Sequence, residues 1–320
     1  MSVQIAGGTM KRTVAFLLTI CLGAIVASSC SGSTSTTSKG PITVGSKMDT
    51  EGALLSQMII LVFRQGGFDV VDKSEFGSTP EVRKAIMSGE LDIYPEYTGN
   101  GAFFFAEESS SVWKDAQKGY ERVKMLDKQQ NNIIWLTPAP ADNTWAIAVT
   151  KALADQQNLV SLSDFADYVN GGGNVKLIGS QEFVTSAAAL PAFQDAYGFT
   201  LKQVQLVVLQ SGNTAQTERA AYDGTDGVNA CMAYGTDGAL SAFNLVVLTD
   251  PKGVQPVYEP TPIVRGVVHD KYPEIDGILA PIFKSLDLVT LQTLNGKIAV
   301  EGQNPVDVAR AYLQQEGFLK

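Results

Sequence analysis

The chain has 320 residues, 45% of them hydrophobic and 18% charged, a globular composition with length enough for two domains and neither disordered nor repetitive. Its 24 basic residues stand against 33 acidic ones, a net charge of −9. A surface of that sign repels phosphate backbones and argues against a nucleic-acid partner.

The first stretch reads as an export signal. Lys11 and Arg12 precede the apolar run Val14 to Val26, and Ala27-Ser28-Ser29 places small residues just before Cys30. The run is too short and too weakly flanked for a spanning helix, and its end is similar to the lipobox of bacterial lipoproteins. Residues 1–29 are therefore expected to be a signal peptide and Cys30 a lipidated N-terminus on the plasma membrane. Cys21 is the poorer alternative because bulky Ile20 would occupy the cleavage position. Residues 30–40, rich in Ser, Thr and Gly, read as a flexible tether. Cys231 is then the one thiol left, so no disulfide is expected in the mature body.

From residue 41 the chain alternates strand and helix. Pro41 to Ser46 predicts a strand, and Thr50 to Arg64 a helix with Leu54, Leu55, Met58, Ile59 and Val62 at helical spacing. Between them Lys47 precedes a helix N-terminus, where unpaired N–H groups favour anions, which makes it a candidate anchor. Phe68 to Val71 reads as a strand, and Thr79 to Ser88 as a helix capped by Thr79 with Pro80 in its first turn. Leu91 to Tyr94 reads as a short strand that Pro95 ends, leaving Tyr97 and Gly99 in a bend at the strand's carboxyl end. In open α/β sheets ligands bind there. Asp115 to Gln130 predicts a helix and Ile133 to Leu136 a strand, broken by Pro138-Ala139-Pro140.

That break predicts a crossing into a second lobe. Trp145 to Val149 begins it. Helices follow near 151–155 and 161–168, a strand at 175–178, helices at 187–196 and 214–222, and strands at 227–232 and 245–248. Tyr234-Gly235-Thr236-Asp237 repeats the aromatic, hydroxyl and glycine of Tyr97-Thr98-Gly99 after a strand. Pro251 to Pro260 predicts the return crossing. Ile263 to Val267 then reads as a strand and the remainder as helices. The expected lobes are 41–141 with 255–320, and 142–254.

Catalytic chemistry is poorly provided for. His269 is the only histidine, and Cys231 sits in an apolar strand where an inert buried thiol is the usual outcome. No Cys/His spacing fits zinc, and Asp223-Gly224-Thr225-Asp226 lacks the full calcium loop. No cofactor or metal is expected. The rival class is an enzyme on the same two-lobed fold with Cys231 covalently involved; a binding protein for another small polar ligand, such as an amino acid, is the nearer alternative.

Tyr97, Trp145, Tyr234 and Tyr258 fall at predicted strand ends or crossings, where they would face an interlobe cleft. Four ring faces around one point form a cage for a quaternary ammonium, a cation too apolar to be hydrogen-bonded. The runs Gly45-Ser46-Lys47, Gly89 to Gly99 and Ala233 to Asp237 resemble the substrate-binding proteins of ABC transporters for glycine betaine, choline and related osmoprotectants. That resemblance implies an α/β, type II-like, two-lobed periplasmic-binding-protein fold, each lobe a sheet flanked by helices with the ligand cleft between. It implies a monomeric, extracytoplasmic, non-enzymatic importer component whose partners are a membrane permease and its ATPase. It assigns cage tyrosines to Tyr97, Tyr234 and Tyr258, with Trp145 standing where a tyrosine is usual. Two positions depart from the family pattern. Ser186 stands in the slot of an arginine that clamps a betaine carboxylate, and Asn100 where threonine is common. The tail of a ligand would then meet Lys47, Asn100 and Ser186.

Overall fold

The structure, a computed structural model, describes residues 39–210 and 214–320. The expected signal peptide, Cys30 and all but the last two residues of the tether lie outside the described residues.

The first sheet is built from β1 (Lys39–Lys47), β2 (Phe68–Gly77), β3 (Ile93–Tyr97) and β4 (Ile133–Trp135), with helices α1 (Thr50–Gln65), α2 (Thr79–Ser88), α3 (Gly101–Phe104) and α4 (Ala116–Asn131) between them. The second takes β5 (Trp145–Thr150), β6 (Leu177–Ser180), β7 (Leu206–Leu209), β8 (Ala230–Tyr234) and β9 (Leu245–Val247). Its helices are α5 (Lys151–Gln157), α6 (Leu162–Asn170), α7 (Gln181–Thr185), α8 (Leu190–Tyr197), α9 (Thr214–Asp223) and α10 (Gly238–Ala242). The chain then returns to the first sheet as β10 (Pro260–Arg265) and closes with α11 (Gly266–Lys271), α12 (Ile275–Ser285), α13 (Leu288–Ala299) and α14 (Pro305–Gln315).

The two sheets share one design. Their orders are β2-β1-β3-β10-β4 and β7-β6-β8-β5-β9. In each, the strand beside a crossing, β10 or β5, runs antiparallel to both neighbours while the inner strands pair in parallel. The chain passes between sheets twice, after Trp135 and after Val247. This is the α/β two-lobed periplasmic-binding-protein fold.

Side-chain alternation places a core on each face of each sheet. Ile93 and Val264 face α1 and the C-terminal helices, whereas Tyr94 and Ile263 face Ala85, Ile86 and Trp113. Helix α1 is capped by Asp49, which accepts from Gly52 N at 2.7 Å. Ile60, Leu61 and Phe63 are buried along with the predicted apolar stripe, because α1 is covered by the C-terminal helices as well as by the sheet.

Several elements differ from their sequence expectations for identifiable reasons. Strand β3 continues through Pro95, which lies opposite Pro262 in the antiparallel register. Two prolines have no N–H to exchange, and a non-hydrogen-bonded pair requires none. The return strand likewise begins at Pro260 instead of Ile263. The cap of α2 is Ser78, not Thr79: its N and Oγ both donate to Glu81 Oε2 at 2.7 Å. Strand β7 was not predicted, and β8 runs on to Tyr234 instead of ending at Met232. His269 lies on α11, its Nε2 3.1 Å from Asp276.

Candidate functional site

The four aromatics are positioned in two pairs, one per lobe, by the antiparallel strands at the crossings. Trp145 and Tyr234 are direct cross-strand neighbours on β5 and β8, and their rings stack at 6.3 Å between centroids and 19° between planes. Phe183 meets Trp145 edge-on at 6.3 Å, which fixes the indole from behind. In the first lobe Tyr97 ends β3 opposite Pro260, and Tyr258 lies two residues before that partner. Gly99 makes room for it: a Cβ there would sit 2.7 Å from the Tyr258 ring. Thr98 stitches the same two segments together, its N donating to Glu259 O, its Oγ1 to Val257 O and Glu259 N donating back to Oγ1, all at 3.0–3.1 Å.

All four line one cleft of about 770 Å³, together with Lys47, Asn100, Asn143 and Asn295. Its size suits a small organic ligand. Burial pushes the Tyr234 and Tyr258 hydroxyls up to about 12, so both rings stay neutral in water near pH 7.

Lys47 is only 8% exposed, and it is paired with Glu96 at 2.5 Å. The Glu96 carboxylate also accepts from Asn100 Nδ2 at 2.7 Å, from the Tyr97 backbone N at 2.8 Å and from the Tyr94 hydroxyl at 2.8 Å. The Lys47 ammonium sits 4.5 Å from the centroid of the Tyr97 ring, so it braces that ring from within. Lys47 and Asn100 thus reach the cleft wall with the ammonium and the Nδ2 group already engaged by Glu96. Ser186 is not brought to the cleft. It follows the last turn of α7, its N bonded to Glu182 O and its Oγ accepting from Ala188 N at 3.3 Å, while Glu182 of the same helix lines the cleft.

The carboxylates went unassigned in the sequence. Asp49, Glu51, Glu182, Glu218 and Asp237 line the cleft, and among its described lining residues Lys47 is the only basic one. Glu51 accepts from the Tyr97 hydroxyl at 2.9 Å, from Asn143 Nδ2 at 3.3 Å and from Asn295 Nδ2 at 2.7 Å; burial raises it to about 7. Glu218 and Asp237 both line the cleft and influence each other's titration. Burial first, and then the Asp237 charge, pushes Glu218 up to about 10, while Asp237 is raised by burial to about 6. The signal for Glu218 was an acidic residue on the apolar side of a short helix, one turn before Ala221. Among the described residues no group of three or more His, Cys, Asp or Glu side chains could hold a metal ion. Cys231 is buried in β8, where desolvation holds its thiol far above the ordinary range, and it does not line the cleft.

A strut joins the lobes beside the site. Helix α13, whose Leu291 and Leu294 belong to the first-lobe core, donates from Gln292 Nε2 to Gly235 O at 2.7 Å and from Asn295 Nδ2 to Thr236 O at 2.9 Å. Gly238 allows the contact, since a Cβ there would lie 2.1 Å from Gly296 N.

Residues 40–315 match the family described as the substrate-binding domain of ABC-type glycine betaine transport systems. The chain is 55% identical over 280 residues to the glycine betaine-binding protein YehZ of Escherichia coli, covering 88% of this chain and 92% of that protein. It is 30% identical to a glycine-betaine-binding protein of Pseudomonas aeruginosa, over 97% and 96% of the two chains. The solved apo structure of the Escherichia coli protein superposes with a TM-score of 0.80 at 55% identity, covering 87% of this chain and 99% of that one. The chain therefore belongs to the substrate-binding proteins of ABC-type glycine betaine transport systems.

Proposed function

We propose that the protein is the extracytoplasmic substrate-binding component of an ABC importer for a quaternary ammonium solute such as glycine betaine, choline or a relative. One observation carries this reading: aromatic side chains from both lobes converge on a cleft that is rich in carboxylates, and the one basic side chain among its described lining residues is already paired. A desolvated cation gains about 0.5–2 kcal/mol from each ring face, and the surrounding carboxylates favour positive charge throughout. Tyr97, Trp145, Tyr234 and Tyr258 form the cage. Lys47 and Asn100 act through Glu96, setting the position of the first-lobe wall.

The lobes are taken as 41–141 with 255–320, and 142–254. They close on ligand about residues 138–143 and 249–260, and the cleft as described has far more room than so small a cation fills. A permease and its ATPase receive the loaded protein. The partner relation follows from the family, and the relatives are binding proteins, not enzymes. The monomer is held to the membrane by a lipid on Cys30.

Calorimetric titration of the parent and Trp145→Ala with choline, glycine betaine and dimethylglycine tests the cage. The variant is expected to weaken every cationic ligand together, by on the order of 2 kcal/mol or roughly thirtyfold. Parent-like binding of all three by Trp145→Ala would sink the cage.

A further inference from the structure

Among the described residues five buried side-chain polar atoms have no hydrogen-bond partner: Asn143 Oδ1, Thr144 Oγ1, Trp145 Nε1, Glu218 Oε1 and Asn295 Oδ1. Protein interiors leave few such atoms, yet four of these belong to residues lining the cleft and the fifth lies between two of them in sequence. Three of them are carbonyl or carboxyl oxygens. Asn143 and Asn295 both turn their Nδ2 groups to Glu51, so each presents its carbonyl oxygen as an acceptor. Trp145 Nε1 is the one obligate donor.

Glu218 is the most committed of the set. It is 1% exposed on α9, and behind it stands Asp237, which accepts from Tyr234 N at 2.6 Å. The Oε1 atom of Glu218 is buried on the cleft wall with no hydrogen-bond partner among the described residues, so Glu218 offers a free oxygen as an acceptor. A ligand carboxylate placed there would set acceptor against acceptor, with no unpaired base among the described lining residues to compensate, because Lys47 is engaged by Glu96. A hydroxyl, by contrast, can donate to Glu218 Oε1.

We propose that Glu218 Oε1 takes a hydrogen bond from a hydroxyl on the ligand's tail, so that the site selects a trimethylammonium alcohol over a carboxylate-bearing zwitterion. This rests on the quaternary-ammonium reading of the cleft. The pair on α9 and at the start of α10 is then the specificity-determining element of the second lobe, while the aromatic rings recognise the head common to both ligand classes.

The test compares choline with its O-methyl ether, which keeps the charged head and the tail oxygen but replaces the O–H donor with O–CH3. Titrated against the parent, choline is expected to bind about tenfold tighter than the ether, the equivalent of one net hydrogen bond, and tighter than glycine betaine. Glu218→Leu should bring the choline-to-ether ratio towards one. Glu218→Gln, which keeps an acceptor oxygen and an N–H for Asp237, should restore it. Equal binding of choline and ether by the parent, an undiminished ratio in Glu218→Leu, or tighter binding of glycine betaine than of choline would each overturn the inference. Should Glu218→Leu not fold, the parent's ratio and that of Glu218→Gln decide it. A parent that binds tetramethylammonium but shows no preference for the alcohol overturns this inference alone. A parent that binds no quaternary ammonium at all overturns the function proposed above, and this inference with it.

Discussion

On the first-lobe wall of the cleft the Glu96 carboxylate receives four donors, from Lys47, Asn100, the Tyr97 backbone and Tyr94. On the second-lobe wall Glu218 keeps an oxygen, and Trp145 a ring N–H, with no partner among the described residues. Both walls bury polar groups next to aromatic rings, so burial alone does not distinguish Glu96 from Glu218. Satisfaction does, although Asn295 Oδ1 on the first lobe is unpartnered as well. A buried group whose hydrogen bonds are complete holds neighbouring side chains in place, and removing it costs stability. A buried group left with a free lone pair or N–H can engage a ligand, and its removal is felt in binding.

The contrast is broken most severely at Glu96. Glu96→Gln leaves the Lys47 ammonium buried beside Tyr97 without a counter-charge, and breaking such a pair costs about 3–5 kcal/mol. Urea unfolding should show a loss of unfolding free energy of that size, read as the midpoint shift multiplied by m. A shift within a few tenths of a kcal/mol of the parent would mean that the first-lobe wall is not held by this network.

Glu51 sits where the two walls meet and gives the next largest effect. Its pKa is raised from 4.5 to about 7, so between those values the folded protein holds a proton that the unfolded chain has released. The associated stability is present below about pH 4.5 and is lost as pH rises through about 7. The parent should therefore lose up to about 3 kcal/mol more than Glu51→Gln between pH 5 and pH 8. Reading the difference between the two proteins removes the contribution of surface carboxylates such as Glu81 and Asp164, whose values hydrogen bonds lower. Parallel pH profiles would show that Glu51 titrates normally.

Much of the first impression of the site was legible in the sequence because its signals are local. Tyr97-Thr98-Gly99 and Tyr234-Gly235-Thr236 each put an aromatic at a strand end beside a glycine, and the crossings were marked by prolines. The burial of Cys231 was likewise readable from the apolar strand around it. What escaped depends on contacts between distant residues. Lys47 read as a free anchor because its partner lies 49 residues away. Pro95 read as a strand terminator because only the register with Pro262 shows that no donor is needed there. Helix α13 carried no sign that Gln292 and Asn295 reach the opposite lobe, since that contact depends on Gly238 and Gly296 approaching backbone to backbone. Ser186 was placed by a family pattern, and the turn after α7 points the cleft-side role to Glu182 instead.

The central claim is that the ring faces recognise positive charge and not merely bulk. Choline and its neutral carbon counterpart, 3,3-dimethylbutan-1-ol, present the same shape and the same hydroxyl, and differ in the charge on one central atom. Titrated by calorimetry against the parent at one ionic strength, choline should bind at least tenfold tighter, corresponding to about 1.4 kcal/mol from cation–π contact and the surrounding carboxylates together. Equal affinity for the two would contradict the account, because it would make the cleft an apolar pocket indifferent to charge.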